Sequence, residues 1–514
     1  MPHDDESRAD EGQRAGRGAL VLMAAKVLFV LTGWGAQVAL PRILGSDEEF
    51  GLYSVALGAT SMLTNLIVAS TIQTVSKLVS EDEDRAPATL RQGLYLQATL
   101  GATLGGAFFL AAPWLAGSVL LDDALGPVLR VSSAAVASYA LYAALVGSLN
   151  GRRRFRAQAF LDMTFSILRV TGILTGAALL GGALGAMSGF ATAAVSILVL
   201  ALVAVGTGRG GATFPPGRWA ALMGPIVVYQ LFLNGIMQVD LQVLKRTLAE
   251  LARLDGVTAT AAAAVANEAA AHYRAAQLFA FVPYQLILSL TFILLPYVSR
   301  AHALGDGSAT RRHIERALRI SLLVLLSMAA PMAGTGSGVI RVVFPPSFAP
   351  GGQALSVLAF GMAAFGLWVV AATVLVSVKR PSLAAATAGI ALVVVIAATR
   401  ALLWWAPGGL APLVAAALGT TLGTLTALAL VGAVLRRMFG AFLPPLTVLR
   451  AGAASGAAFA LCWLLPTDAP LPAIGALLLG FAVYGVVLGA LRELDADDLA
   501  LARRILGRRG RREP

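Results

Sequence analysis

His272–Ala301, HYRAAQLFAFVPYQLILSLTFILLPYVSRA, reads as one membrane-spanning helix with prolines at 283 and 296 and a basic exit at Arg300. No charge falls between Arg274 and Arg300, and about 20 apolar residues are enough to cross a bilayer. Residues 52–81, LYSVALGATSMLTNLIVASTIQTVSKLVSE, lie 220 positions earlier and align Tyr53 with Tyr273 and Thr71 with Thr291. Both segments leave the membrane at a basic site, Lys77 and Arg300.

The surrounding chain repeats this character. It has 514 residues, 58% hydrophobic and 13% charged, against roughly 25% charged in a soluble protein. A soluble domain has no interior large enough to hide that much apolar surface, so the fold class is an all-α polytopic membrane protein. Fourteen spans are expected, near 18–40, 51–79, 93–121, 128–149, 159–181, 183–205, 219–245, 275–299, 317–344, 352–378, 383–405, 409–435, 447–465 and 469–491. Gly181-Gly182 must turn the chain tightly between the fifth and sixth. The Ala-rich stretch 246–274 either extends its flanking helices or is partly disordered. Residues 1–17 are polar and mixed in charge, unlike a cleavable signal. The single Cys462 excludes an intrachain disulfide framework.

Charge gives the orientation, because cytoplasmic loops collect Lys and Arg. With the N-terminus inside, inner segments hold 29 of the 39 basic residues and outer segments hold 8, leaving Lys26 and Arg169 within spans. Both termini are therefore expected in the cytoplasm. The net charge of +12 follows from this bias and does not imply nucleic-acid binding. The starts at 93, 128, 159 and 183 recur at 317, 352, 383 and 409, shifted by 224 to 226 positions. Two parallel six-helix repeats with two additional helices follow, a transporter plan with the substrate path between the halves. The expected parts are a tail (1–17), an N-lobe (18–205), a C-lobe (206–435), helices thirteen and fourteen (436–491) and a basic tail (492–514).

Several chemistries are missing. There is no phosphate-binding Gly-rich loop, no metal-ligand spacing and no cofactor motif, and the four histidines (3, 272, 302, 313) are scattered over tails and loop edges. No enzyme or ATPase is indicated. Charged side chains within a bilayer are costly and mark candidate sites. Lys26 either lines a cavity or snorkels to the inner headgroups, and Gln37 follows it on a small, polar face. Arg169 lies deeper, with Asp162 seven residues earlier as a possible ion-pair partner. Gln230, Asn234, Gln238 and Gln242 form a stripe at i+4 steps on helix seven, beside Asp240. They suit a cavity wall or hydrogen bonds between helices. Lys77 in helix two and Tyr284 in helix eight add polar positions, and Arg400 sits in the outer third of helix eleven. The intramembrane balance of Lys26, Arg169 and Arg400 against Asp162 and Asp240 is slightly cationic and suits an anion such as a pyrophosphate.

The runs LPRILGSDEEFGLYSVA (40–56), SLNGRRRF (148–155) and PYQLILSLTFILLPYVSR (283–300) resemble bacterial polysaccharide exporters. These form the Wzx-like branch of the multidrug/oligosaccharidyl-lipid/polysaccharide (MOP) superfamily, whose fold is MATE-like. Ser46 and Glu49 have capping-box spacing at the start of helix two. The resemblance implies flipping of an undecaprenyl-pyrophosphate-linked oligosaccharide across the bacterial inner membrane by alternating access. It also implies a groove for the polyprenyl tail at helices thirteen and fourteen, with a polysaccharide polymerase and glycosyltransferases as partners beside membrane lipids. The expected substrate-binding residues are Lys26, Gln37, Lys77, Arg169, Gln230, Asn234, Gln238 and Tyr284, with Asp162 and Asp240 as ion or ion-pair positions. A peptidoglycan-precursor flippase and a cation-coupled drug exporter are the nearest rivals. The first should carry more Arg in helices one and two, and the second buried lumenal carboxylates. A membrane glycosyltransferase or polymerase would need larger outer loops with catalytic groups.

Overall fold

The structure, a computed structural model, describes residues 2–405 and 411–493; the basic segment 494–514 lies outside the described residues. Prolines open many of the helices, where a missing N–H costs nothing. The first half of the chain comprises α1 (Pro2–Leu44), α2 (Asp47–Glu81), α3 (Ala86–Trp114, prolonged by a π turn to Val119), α4 (Leu125–Gly151), α5 (Phe155–Leu180), α6 (Gly182–Val205) and α7 (Pro216–Leu254). The second comprises α8 (Ala259–Ala280), α9 (Val282–Ala303), α10 (Gly307–Val343), α11 (Gly351–Ser377), α12 (Pro381–Trp405), α13 (Pro412–Phe439), α14 (Pro445–Leu464) and α15 (Pro470–Ala490).

Thirteen of these are long and apolar enough to cross a membrane among the described residues. With α9, 22 residues without a charge before Arg300, they match the fourteen expected spans. Two expectations about the helices change. The N-terminal tail continues α1 as helix from Pro2, because residues 2–17 are rich in Ala, Glu and Arg, good helix formers. The stretch 272–301 is two helices, broken at Phe281. Pro283 has no N–H to donate and its ring crowds the carbonyl four residues back, so α9 starts afresh. The Ala-rich segment before it is the separate helix α8.

The chain divides into two compact units: Met1–Arg274 with Val395–Gly419, and Ala275–Val394 with the chain from Thr420 onward. This boundary differs from the expected one at 205–206, because α7 packs along α2 within the first unit. In the first unit, Ser46 caps α2 by accepting from the Glu49 N–H at 3.3 Å. Glu49 does not complete the box. Its carboxylate accepts from the Ala183 N–H at 2.6 Å and so caps α6, where an anion meets the positive helix end. Gly181 (φ +75°) and Gly182 (φ +60°) make the tight turn that brings α6 back on α5. A Cβ at Gly189 would stand 1.7 Å from the Gly172 carbonyl oxygen, so the two backbones touch, as small residues permit in membranes. An apolar core of Leu78, Leu90, Leu145, Phe165 and Trp219 fills the end of this unit that carries the α2–α3, α4–α5 and α6–α7 connections.

In the second unit α10 bends at Gly336 (φ 1°, ψ −83°), after Pro331. The last two helices, α14 and α15, pack on α10 through Ala330, Ala451, Ala454, Ala458, Tyr484 and Leu488. Glu493, just beyond α15 and 4% exposed, locks this arrangement. It accepts from Arg319 Nε at 3.0 Å, Arg450 at 3.1 Å and the Thr447 hydroxyl at 2.7 Å. Burial pushes its carboxyl up, but the hydrogen bonds from Thr447, Arg319 and Arg450 outweigh that and hold it below the usual carboxylate value. A lowered pKa means the tie is fully formed above the ordinary Glu value of about 4.3 and lost as pH falls through the lowered one. Proteolysis beyond α15 is therefore expected to accelerate only in acid, and Glu493→Gln to accelerate it at neutral pH.

Candidate functional site

Tyr53 is fully buried on α2, and the polar interior of the first unit is arranged round it. Arg169 of α5, Arg274 of α8 and Gln37 of α1 are its electrostatic neighbours, and Tyr139 of α4 stands close to both Tyr53 and Arg169. The Tyr53 hydroxyl and Gln37 adjoin within hydrogen-bonding reach, but neither the hydroxyl nor Gln37 Oε1 has a well-formed hydrogen bond. Such groups are costly unless something else in the working molecule meets them.

Arg169 comes to this place through α1. Its guanidinium donates to the Phe29 carbonyl oxygen at 3.2 Å and lies 4.1 Å over the Phe29 ring. Gly33 makes the room, since a Cβ there would be 2.3 Å from the Arg169 Nη2. One turn away, the Thr32 and Ser166 hydroxyls bond to each other. Arg169 and Asp162 do not pair. Asp162 faces Lys26 and Tyr142 instead, with the Tyr142 hydroxyl in hydrogen-bonding reach of its carboxylate. Arg169 lies against Phe29, Tyr139 and Tyr53, and among the described residues no carboxylate is paired with it. Arg274, by contrast, has Asp240 near it as well as Tyr53.

The stripe on α7 is largely spent on α2. Asn65 donates to Asn234 Oδ1 at 3.0 Å, and Asn234 donates back to Gln230 Oε1 at 3.2 Å. Gln242 donates to the Val55 carbonyl oxygen at 2.9 Å. Gln238 lies against Gly58 with its Oε1 buried and unpartnered, so it keeps an unused acceptor. Asp240 is buried and accepts from the Tyr273 hydroxyl and the Leu241 N–H, both at 2.8 Å. Lys26 and Lys77 are exposed on α1 and α2. Arg400 meets Glu250 at 3.1 Å and is thus an ion-pair member. Tyr284, in the second unit, is buried edge-on to Phe365 with ring centres 5.0 Å apart. The structure therefore gathers Gln37 and Arg169 in one place, Asn234 and Gln230 in another, and Lys26 with Asp162 in a third.

The sequence reading placed two important cations in outer loops. Arg274 directly follows Tyr273, the counterpart of Tyr53, and that register was the available signal. Lys245 is 0% exposed and bonds Asp122 Oδ2 at 2.8 Å, while Asn267 donates to the same oxygen at 2.8 Å. Lys245 stands three residues beyond Gln242, on the face already marked by the amides. Arg246 and Arg253 clasp the same α3–α4 turn through the carbonyl oxygens of Val119 and Leu121, at 2.6 and 2.7 Å.

Residues 15–302 match the model of the family described as polysaccharide biosynthesis protein. No curated protein matches the chain at a significant level. Among solved structures, the chain is similar to the lipid II flippase MurJ in an inward closed conformation, with TM-score 0.74 and 15% identity over 92% of this chain and 99% of that one. It is also similar to an inward-facing multidrug resistance MATE family transporter of the MOP superfamily, with TM-score 0.65 and 13% identity over 82% and 98%. A MOP superfamily transporter from Pyrococcus furiosus aligns with TM-score 0.54 and 14% identity over 83% and 95%. At these identities the likeness is one of fold.

Proposed function

We infer, from a chain that belongs to the polysaccharide biosynthesis protein family and has the fold of the MOP transporters, that it flips a lipid-linked oligosaccharide across the bacterial inner membrane. The anchor is undecaprenyl pyrophosphate, movement is by alternating access, and both termini face the cytoplasm. The observation that carries this reading is Arg169, a guanidinium within a membrane helix, seated over Phe29 with no carboxylate paired to it among the described residues. An uncompensated cation there is costly and is retained where an anion visits. Arg274, Gln37 and the Tyr53 hydroxyl supply further contacts to the pyrophosphate, and Gln238 an acceptor for a sugar hydroxyl. Lys26 and Lys77, both exposed, meet the headgroup at the inner surface. Polymerase and glycosyltransferases act before and after this step on the same lipid.

A specific observation supports a second reading. The fold likeness to a lipid II flippase spans nearly the whole chain, so a peptidoglycan precursor is the alternative cargo. Both cargoes share the polyprenyl pyrophosphate. The experiment reconstitutes the protein in vesicles and follows translocation of a short-chain polyprenyl-pyrophosphate oligosaccharide, a lipid II analogue, and the same oligosaccharide on a neutral lipid. Movement of the first with neither of the others is the expected result. Equal movement of the neutral-lipid form would remove the pyrophosphate from the mechanism, and preference for the lipid II analogue would select the second reading.

A further inference from the structure

We propose that the outer end of the first unit holds a zinc-class divalent cation between Asp47, Glu268 and His272. The three residues come from two helices. Asp47 is the first residue of α2, and Glu268 and His272 sit four apart on α8, so they project from the same face one turn apart. One ligand atom from each of the three lies within 4.8 Å of the others, and His272 Nε2 is 3.1 Å from Asp47 Oδ2.

These distances suit a transition metal. Zinc bound to imidazole and carboxylate at about 2.0–2.1 Å in tetrahedral geometry sets its ligands roughly 3.3 Å apart. The Asp47–His272 pair already has nearly that spacing, and Glu268, exposed and free to change rotamer, closes the remaining gap. The donor set of one imidazole and two carboxylates favours zinc, cobalt or manganese over magnesium and calcium, which prefer oxygen alone. Two carboxylates neutralise a divalent charge, and a fourth position stays open to water. His272 is 6% exposed and Asp47 half-buried, so two of the three ligands are held by the surrounding protein. Gly51, one turn beyond Asp47, lets α8 come this close, since a Cβ there would lie 1.8 Å from the Asn267 carbonyl oxygen.

A bound ion would fasten the start of α2 to α8. Its three ligands are distinct from the residues of the Tyr53 centre, and the proposal does not depend on the identity of the cargo.

The test uses the purified full chain, stripped with a chelator, and titrates Co2+ and Zn2+ by calorimetry and visible absorption, with Mg2+ as a control. One equivalent of Co2+ should bind with the visible bands of a low-symmetry site, Zn2+ should displace it, and Mg2+ should leave it in place. Glu268→Gln, at an exposed position, should weaken binding by about tenfold or more, on the scale of disturbed metal sites. Glu268→His, which creates a second imidazole four residues before His272, should tighten Zn2+ binding and raise the thermal midpoint further. Absence of stoichiometric Co2+ binding would overturn the proposal. So would binding that is the same in wild type, Glu268→Gln and Glu268→His.

Discussion

Arg169→Ala is expected to lower translocation of the proposed lipid-linked oligosaccharide by roughly 10- to 100-fold, the effect of losing a charge-assisted contact of about 1.5–3 kcal/mol. Protein level in the membrane should be unchanged. Among the described residues the side chain makes one hydrogen bond, to the Phe29 carbonyl oxygen, and that oxygen belongs to an intact helix. Arg169→Lys should recover part of the flux, since it keeps the charge and loses the planar fork that grips a phosphate. Gly33→Ala tests position without removing charge. Its Cβ would stand 2.3 Å from the Arg169 Nη2 and push the flexible end of the guanidinium aside at little cost to the fold. Flux should fall in this variant as well. In cells, both Arg169→Ala and Gly33→Ala should reduce surface polysaccharide and build up the lipid-linked precursor on the inner leaflet. Normal surface polymer in Arg169→Ala at normal protein level would remove the residue from the mechanism.

Asp122→Ala is expected to destabilise the first unit by about 3–5 kcal/mol, the range for breaking a buried ion pair from one side. The reason is local. Lys245 would be left with the Ala263 carbonyl oxygen at 3.4 Å, and the Asn267 amide and the Ala124 N–H would lose their acceptors. Lys245→Met should cost less, because Asp122 keeps Asn267 at 2.8 Å and Ala124 at 3.1 Å. The double variant Asp122→Leu with Lys245→Met removes both charges together and should be more stable than Asp122→Ala alone. Thermal melting of the purified protein gives the order. If Lys245→Met melted below Asp122→Ala, the ammonium would not be the group that suffers most from isolation.

The spans were legible because hydropathy and charge act at the scale of whole helices. Each expected segment has its helix, and the capping Ser46 and the turn at Gly181-Gly182 were readable from their own chemistry. The break at Phe281 was less so. Pro283 was visible, but a proline leaves open whether a helix bends or starts afresh, and the apolar run conceals the answer. The candidate site was legible only in part. Arg169 stood out as an intramembrane cation, whereas its seat over Phe29 depends on α1 packing against α5, which no local pattern encodes. Lys245 and Arg274 escaped because counting assigns a charge to the nearest loop. Helices that overrun their spans carry such residues inward, where partners from distant segments await them. Glu49 shows the same limit, since its spacing from Ser46 fitted one cap and it serves another, 134 residues away.

The Lys245–Asp122 pair also constrains how the chain is made. The two residues are 123 positions apart, so the ribosome delivers the acid well before its base, and Asn267 later still. Until α7 arrives, a nascent chain ending after α4 holds an unmatched acid near the membrane surface. The Lys245–Asp122–Asn267 cluster can close only after synthesis has passed α8, and the first unit as a whole only after Gly419, since Val395–Gly419 belong to it.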